Sequence, residues 1–184
     1  MVGEIRDEET AKIAVNSAMT GHLVLSTLHT NDAATALPRL SDMGIQPFLV
    51  SSTINIVIAQ RLVRKICEKC KANLNINDEV LALIRKEFSE ALIKKYKLDD
   101  PTTVFHKGQG CKDCQNTGYK GRVGIYEILT MNEDVKQLIM AKSNASKIKQ
   151  LAVSQGMSTM IDDGIAKVLA GLTTIEELLR VSQE

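Results

Sequence analysis

Apolar and polar residues follow two different periods over the first 64 positions. Short apolar runs predict two buried strands, at residues 1–5 and 22–28. Apolar residues at helical spacing predict three helices. Asp7 is predicted to cap the first, whose apolar side carries Ala11, Ala14, Val15, Ala18 and Met19. The second runs from residue 30 to about 43, and the third from Pro47 to about residue 59. Strands and helices that alternate with short connections predict an α/β fold with a parallel sheet.

Cysteine and glycine set the middle of the chain apart. Two C-x-x-C pairs separated by 40 residues lie between Lys65 and about residue 122, and glycines crowd the second pair, as tight metal-binding turns require. Between the two pairs, Asp78 is predicted to cap a helix. A short strand is predicted next, at residues 123–129, and helices follow, the first capped by Asn132. The last helix has a double capping-box candidate, in which Thr173 and Thr174 stand three residues before Glu176 and Glu177. These changes divide the chain into segments 1–64, 65–122 and 123–184.

Composition and charge exclude several classes of protein. The formal net charge is +1 and aromatic residues make up only 3% of the 184 residues, which gives no case for nucleic acid as the main partner. No apolar run approaches the roughly 20 residues that span a bilayer, so no transmembrane segment is predicted. The first residues are acidic rather than basic and apolar, unlike a signal peptide, and we expect a cytoplasmic protein.

An acid and an imidazole lie at the ends of the two predicted strands. Glu4 follows Gly3, which leaves room for a nucleotide, and its carboxylate could hold magnesium through water or polarise an attacking water. His29 comes directly after the second strand and could donate to a terminal phosphate oxygen. His22 begins that strand and is expected at the far edge. The plainer alternative is that all three are ordinary polar residues at strand ends.

The cysteines predict a structural metal site. Cys67, Cys70, Cys111 and Cys114 supply the four thiolates of a closed tetrahedral zinc shell, which has no open position for catalysis. Such a zinc ion contributes on the order of 10 kcal/mol to the folding of its module. Redox-active dithiols and inert cysteines are the alternatives. His106 could substitute as a ligand, but four cysteines already fill the shell.

Taken together, these segments resemble the type II secretion and type IV pilus assembly ATPases, the GspE/PilB-like family, over essentially the whole chain. Val2–Asp7 is similar to the end of that family's Walker B signature, and Thr20–Asn31 is similar to its histidine box. The resemblance continues through Ala59–Arg64 with the first cysteine pair, through Gly110–Glu127 with the second pair, and through the helical pattern from Asp163 to Val181.

The resemblance implies the rear part of a RecA-like P-loop ATPase core, a four-cysteine zinc-binding insertion and a C-terminal helical region. Members form hexamers at the cytoplasmic side of the inner membrane, where turnover of ATP with Mg²⁺ drives pilus or pseudopilus assembly through a membrane platform protein. By this likeness Glu4 is the Walker B acid and His29 lies near the γ-phosphate, with Gly3, Arg6 and His22 in support. The cysteines point to the assembly branch, because the retraction branch typically lacks them.

One part of the family pattern is not found in these 184 residues. No G-x-x-x-x-G-K-[ST] loop occurs, and the segment before Walker B, with its second acid and its arginines, is also missing. We therefore expect the C-terminal part of such an ATPase, inactive by itself. The alternatives are a zinc-ribbon adaptor module without an ATPase role, or a folded piece that only packs against the rest of the protein. Secretion, pilus growth and DNA uptake stay open as the parent system.

Overall fold

The computed structural model describes residues 1–74 and 77–182. In chain order, its first elements are β1 (Glu4–Ile5), α1 (Glu8–Met19), β2 (Thr27–Leu28), α2 (Ala33–Asp42), α3 (Pro47–Thr53), β3 (Ile56–Ile66), β4 (Lys71–Leu74), α4 (Asp78–Glu87) and α5 (Glu90–Tyr96). They are followed by β5 (Phe105–Gly108), a 3₁₀ turn (Lys112–Cys114), β6 (Tyr119–Thr130), α6 (Glu133–Met140), α7 (Ala145–Ser154), α8 (Met160–Leu169) and α9 (Ile175–Ser182). The α/β class predicted from the sequence is confirmed.

The chain forms two compact units, which we describe separately. The first contains residues 1–59 and 127–159, and the second contains residues 60–126 and the chain from residue 160. The C-terminal helices are therefore divided between the two units: α6 and α7 belong to the first unit, and α8 and α9 belong to the second. Strands β3 and β6 pair with each other, and each contributes residues to both units. The segment boundaries at residues 64 and 122 stay predictions.

In the first unit, a short parallel strand pair is surrounded by helices. Strands β1 and β2 are parallel, with Glu4 opposite Thr27 and Ile5 opposite Leu28. Asp7 caps α1, as predicted, by accepting a hydrogen bond from the Thr10 amide at 2.8 Å. The core is built from small and aliphatic side chains of the helices, including Ala11, Val15, Ala33, Ala34, Leu37, Ile139, Ile148 and Ala152. This packing fixes the two strand ends that carry the predicted site.

Several predicted boundaries in the first unit are wrong. The predicted strands at residues 1–5 and 22–28 are only two residues long each, because only Glu4–Ile5 and Thr27–Leu28 pair in a ladder. The helix that begins at Pro47 ends at Thr53 instead of near residue 59. From Ile56 onward the exposure of successive side chains alternates along β3, which is the period of a strand rather than of a helix.

The second unit is built around an antiparallel pair and the last two helices. Strand β4 pairs with β5, which places Asn73 opposite His106. The predicted cap of α4 is displaced by one residue: Asn77, not Asp78, accepts the hydrogen bond from the Val80 amide. The second core contains Val63, Ile84, Phe105, Ile125, Ile165 and Leu178. None of the helices in the described part of the chain is both long and apolar enough to span a bilayer.

A buried acid ties α9 to β3. Thr174 caps α9 by accepting a hydrogen bond from the Glu177 amide, but the Glu177 carboxylate does not close the predicted capping box. It accepts hydrogen bonds from the Arg64 amide at 2.9 Å and from Arg64 Nη2 at 2.6 Å, and it also binds Arg180. Burial opposes ionisation of Glu177, but the Arg64 and Arg180 side chains outweigh it and lower the pKa to about 2.

This ion pair makes the stability of the second unit depend on pH. Because the pKa of Glu177 falls from 4.5 to about 2 on folding, its contribution is complete above pH 4.5 and is lost as the pH falls towards 2. The difference corresponds to about 3 kcal/mol, so Glu177→Gln should lower the free energy of unfolding by about that amount at pH 7. Urea unfolding followed by circular dichroism measures this.

The matched control is Glu176→Gln, because Glu176 lies on the same helical turn but is exposed. Its stability should stay close to that of the wild type at every pH. The gap between wild type and Glu177→Gln should narrow steadily between pH 5 and pH 3. A gap that does not change over this range would show that the Glu177 carboxylate is not the group responsible.

Candidate functional site

The ends of β1 and β2 bring together the acid and the imidazole predicted from the sequence. His29 directly follows β2, and its Nε2 lies 2.5 Å from Glu4 Oε1. The other carboxylate oxygen, Oε2, accepts from Arg6 Nε at 2.7 Å and lies 2.6 Å from Arg6 Nη2. The contact with His29 is close but is not an aligned hydrogen bond, since Glu4 Oε1 accepts none from the described residues. Glu4 therefore lies between two nitrogen-rich side chains.

The electrostatics of this group favour an ionised acid. The hydrogen bond from Arg6 is the main cause that lowers the pKa of Glu4 below its usual value, against a smaller opposing effect of burial. The Glu4 side chain is 23% exposed, whereas Arg6 and His29 are 73% and 85% exposed. A shielded carboxylate beside an accessible guanidinium and imidazole can hold a hydrated divalent cation and contact a phosphate at the same edge of the sheet.

Gly3 and Ser26 shape the backbone next to Glu4. A Cβ atom at Gly3 would meet no other atom within 4 Å, so the space beside this strand is open. Ser26 Oγ donates to the Gly3 carbonyl oxygen at 2.5 Å, which ties the two strand segments together just before the site. Sequence reasoning did not single out Ser26, because a serine in a short strand carries no distinctive signal.

His22 lies at the other end of the segment that leads to His29. Its Nδ1 is 3.0 Å from Thr20 Oγ1 and 3.3 Å from the Ser17 carbonyl oxygen, so the ring contacts the C-terminal end of α1. The structure thus places His29, but not His22, against Glu4. A supporting role of His22 in nucleotide binding stays a prediction.

The four cysteines form a compact group in the second unit. Their Sγ atoms all lie within 4.8 Å of one another, and no disulfide joins them. The separations are 3.9 Å for Cys67–Cys111, 3.8 Å for Cys70–Cys114 and 3.7 Å for Cys111–Cys114. Tetrahedral zinc with bonds of about 2.3 Å needs sulfur atoms about 3.8 Å apart. The donor set and its spacing therefore fit one zinc ion.

Backbone amides stabilise the thiolate form of one of these cysteines, Cys114. Cys114 Sγ accepts hydrogen bonds from the Cys111 and Gly118 amides at 3.2 and 3.3 Å. Burial alone would raise the pKa of the Cys114 thiol, but these amides lower it to about 6, whereas burial raises the pKa of Cys70 to about 12. A thiolate held by amide donors is the form that a metal ion binds.

The two cysteine turns are also held together around the sulfurs. Asp113 accepts from Lys69 Nζ at 2.8 Å and from Lys120 Nζ at 2.9 Å, which links the Cys67–Cys70 turn to the Cys111–Cys114 turn. Behind the turns the backbone at Gly118 comes so close to Gly108 that a Cβ atom on Gly108 would lie 2.0 Å from the Gly118 carbonyl oxygen. Only glycine fits there.

His106 does not join the cysteine group. Among the described residues, the metal-ligating side chains that the structure brings together there are the four cysteines. His106 lies on β5 opposite Asn73, and burial together with the nearby Lys71 ammonium lowers the pKa of its ring. The sequence-based idea of His106 as a substitute ligand has no geometric support.

Comparison with known proteins identifies the class. Residues 1–180 match the sequence model of the family described as Type II/IV secretion system protein, and the chain belongs to this family. It is 48% identical over 179 residues to the type IV pilus assembly ATPase PilB of Thermus thermophilus, covering 97% of this chain and 19% of that protein. It is 46% identical over 184 residues to the type II secretion system protein E of Pseudomonas aeruginosa, covering 100% of this chain and 34% of that protein.

Solved structures agree with this assignment. The pilus retraction motor PilT with bound ADP superposes with a TM-score of 0.61 at 25% identity, over 99% of this chain and 38% of that chain. The Yersinia pseudotuberculosis ATPase DotB has a TM-score of 0.62 at 20% identity, over 100% of this chain and 36% of that chain, which shows a shared fold. The chain thus spans between about a fifth and a third of the length of the two curated relatives above.

Proposed function

We propose that this chain is the C-terminal part of an ATPase that couples ATP hydrolysis to the assembly of a pilus or pseudopilus. The observation that carries the proposal is the contact of Glu4 with His29 at the ends of adjacent parallel strands. The names of the relatives, type IV pilus assembly ATPases and type II secretion proteins, support the same activity. Segment 1–64 would be the rear part of a RecA-like core.

In this proposal each site residue has a distinct task. Glu4, ionised and held by Arg6, binds the water shell of Mg²⁺ or orients the attacking water, and His29 donates a hydrogen bond to the terminal phosphate. The Mg²⁺ ion supplies neutralisation of the phosphate charge when bound. Gly3 leaves room for the nucleotide, and His22 supports the segment from its other end.

The cysteine group has a structural task in this proposal. Four thiolates fill a tetrahedral zinc shell, so Cys67, Cys70, Cys111 and Cys114 leave no open position for a substrate. Segment 65–122 would then be a zinc-binding module inserted before the return strand and helices of segment 123–184. A zinc-ribbon adaptor without an ATPase role is the second candidate, favoured only by the compactness of this cysteine group.

We propose an assembly on the basis of the resemblance to secretion and pilus ATPases. The complete protein would form a homo-hexamer at the cytoplasmic face of the inner membrane, bound to the platform protein of a pilus or secretion machine. Nucleic acid is not expected as a partner, since the net charge is only +1. A salt-dependent DNA or RNA binding assay separates the adaptor alternative from the motor, because the motor part should not bind either.

The proposal assigns the grip on the phosphates to a loop that does not occur in these 184 residues, and an assay of ATP turnover by the chain tests this. Because no phosphate-binding loop occurs in these residues, we expect no ATP hydrolysis above that of buffer with magnesium. A phosphate-release assay measures this, with the complete ATPase as the positive control. Clear turnover by the chain that Glu4→Gln abolishes would refute the proposal that these 184 residues are inactive by themselves.

A further inference from the structure

The segment that carries His29 is held from two other elements of the first unit. His29 lies between β2 and α2, and Asp32 caps α2 by accepting from the Thr35 amide and hydroxyl at 2.9 and 2.6 Å. In addition, the Ala33 amide donates to Glu127 Oε1 on β6 at 3.1 Å. The first turn of α2 is therefore fixed by its own cap and by a carboxylate far away in sequence.

One cation joins these two carboxylates. Lys149 Nζ, on α7, donates to Asp32 Oδ2 at 2.9 Å and lies 3.7 Å from Glu127 Oε2. Glu127 is only 1% exposed, and Lys149 is 37% exposed. Lys149 therefore brings one positive charge to both carboxylates, and a buried carboxylate such as Glu127 is costly unless it is paired and hydrogen-bonded.

The charges of this group are set by their mutual contacts. Burial would raise the pKa of Asp32, but the hydrogen bonds from Thr35 and Lys149 lower it below its usual value. Burial would likewise lower the pKa of Lys149, but Asp32 and Glu127 raise it. Asp32 is therefore ionised and Lys149 protonated at neutral pH, so the contact between α7 and the start of α2 is charge-assisted.

Packing alone does not account for this contact. Ile148 and Ala152 of α7 lie in the same core as Ala33 and Leu37 of α2, so apolar side chains already hold the two helices together. The polar contact of Lys149 instead goes to the capping residue itself, three positions after His29. A displacement of Asp32 would move the short connection 29–32 and with it the imidazole that contacts Glu4.

We infer that Lys149, through Asp32 and Glu127, is a positioning residue that holds the His29 imidazole against Glu4. The inference rests on the proposed function, in which Glu4 and His29 face the nucleotide, and it adds a route of regulation to that site. A movement of α7 relative to α2 would release His29 from Glu4. Conversely, binding of a phosphate by His29 would change the contact between Lys149 on α7 and Asp32.

The test uses the 184-residue chain and the NMR signals of its imidazole rings. The chain has three histidines, so His29 is assigned by comparison with His29→Gln. Glu4→Gln should shift the His29 ring signals, because the two side chains are in contact. In a Lys149→Met background we expect this shift to become at least about twofold smaller, because the two sites are coupled. Lys149→Arg, which keeps the charge, should restore most of it.

Two further variants make the result specific. Lys147→Met removes an exposed lysine from the same helix and should leave the full shift. Asp32→Asn keeps a good capping side chain but loses the charged partner of Lys149, and it should reduce the shift in the same way if Lys149→Met does not fold. Amide hydrogen exchange at Ala33 reports directly whether the hydrogen bond to Glu127 has loosened.

The outcome that overturns the inference is specific. If Lys149→Met and Asp32→Asn speed up exchange at Ala33 but leave the full effect of Glu4→Gln on His29, Lys149 stabilises α2 without positioning the imidazole. The readout does not use ATP. An inactive complete protein would therefore contradict the proposed function and leave this result standing, and the reverse also holds.

Discussion

One zinc ion per chain is expected to copurify with this protein, and its loss should unfold the cysteine region. The sulfur atoms of Cys67, Cys70, Cys111 and Cys114 already have the spacing of a tetrahedral thiolate shell. Structural zinc contributes on the order of 10 kcal/mol of apparent binding free energy at neutral pH. This is comparable to the entire stability of a small domain. The Cys67→Ser, Cys70→Ser double variant should therefore lose both the metal and the fold near residues 65–122.

Metal analysis and amide hydrogen exchange measure the two parts of this prediction. The matched control is Lys112→Ser, which changes an exposed side chain in the second cysteine turn and should keep one zinc ion and normal protection. Exchange in the first unit serves as an internal reference, since residues 1–59 pack in a separate core. If the double variant retained metal and fold, the cysteine group would not be a zinc site.

A loss of ATP turnover of at least about 100-fold is expected for Glu4→Gln in the complete ATPase, since a positioned acid–base group typically contributes that much or more. Glutamine has nearly the same shape, but it has no negative charge for Mg²⁺ or the attacking water. Nucleotide binding should persist, because the proposed function assigns the grip on the phosphates to a loop that does not include Glu4. Steady-state phosphate release and fluorescent-nucleotide binding measure the two quantities separately.

Glu9→Gln is the control for this substitution. Glu9 is an exposed acid in the first turn of α1, close in sequence to Glu4, and it lies outside the Glu4–His29 contact. Its turnover should stay within about twofold of the wild type, as for an ordinary surface change. If the Glu4→Gln variant hydrolysed ATP as fast as the Glu9→Gln variant, Glu4 would have no role in hydrolysis.

Local signals were enough to predict much of the fold. The cap at Asp7 and the apolar residues of α1 depend on neighbours within four positions, and the structure confirms the cap and the burial of Ala11, Ala14 and Val15. Met19, expected on the same apolar side, is exposed at the last position of the helix. The two C-x-x-C turns also predicted that their sulfurs would meet, because four cysteines at that spacing have few other uses.

Long-range partners could not be predicted. The end of α3 and the start of β3 depend on the pairing of β3 with β6, and nothing in the residues near Thr53 records that pairing. Glu177 was expected to close a capping box, but Arg64, 113 residues away, takes its carboxylate. An ion pair outweighs a local hydrogen bond when the acid is buried, and a sequence does not show which acids are buried.

In the candidate site, as in the fold, some contacts could be predicted from the sequence and others could not. Glu4 and His29 could be paired because the carboxyl ends of neighbouring parallel strands lie at one edge of a sheet. The contact of Lys149 with Asp32, 117 residues away, could not be predicted, because an amphipathic helix such as α7 gives no reason to select one lysine from several. The contact of Glu4 with His29 was therefore predictable from the sequence, whereas the contact of Lys149 with Asp32 was not.

The central claim is that Glu4 and His29 face the terminal phosphate of ATP. A structure of the complete ATPase with magnesium and a non-hydrolysable ATP analogue tests it most directly. We expect a His29 ring nitrogen at a hydrogen-bond distance of about 3 Å from a γ-phosphate oxygen, with Glu4 against the water shell of the magnesium ion. A nucleotide bound at an edge that neither side chain reaches would contradict the account.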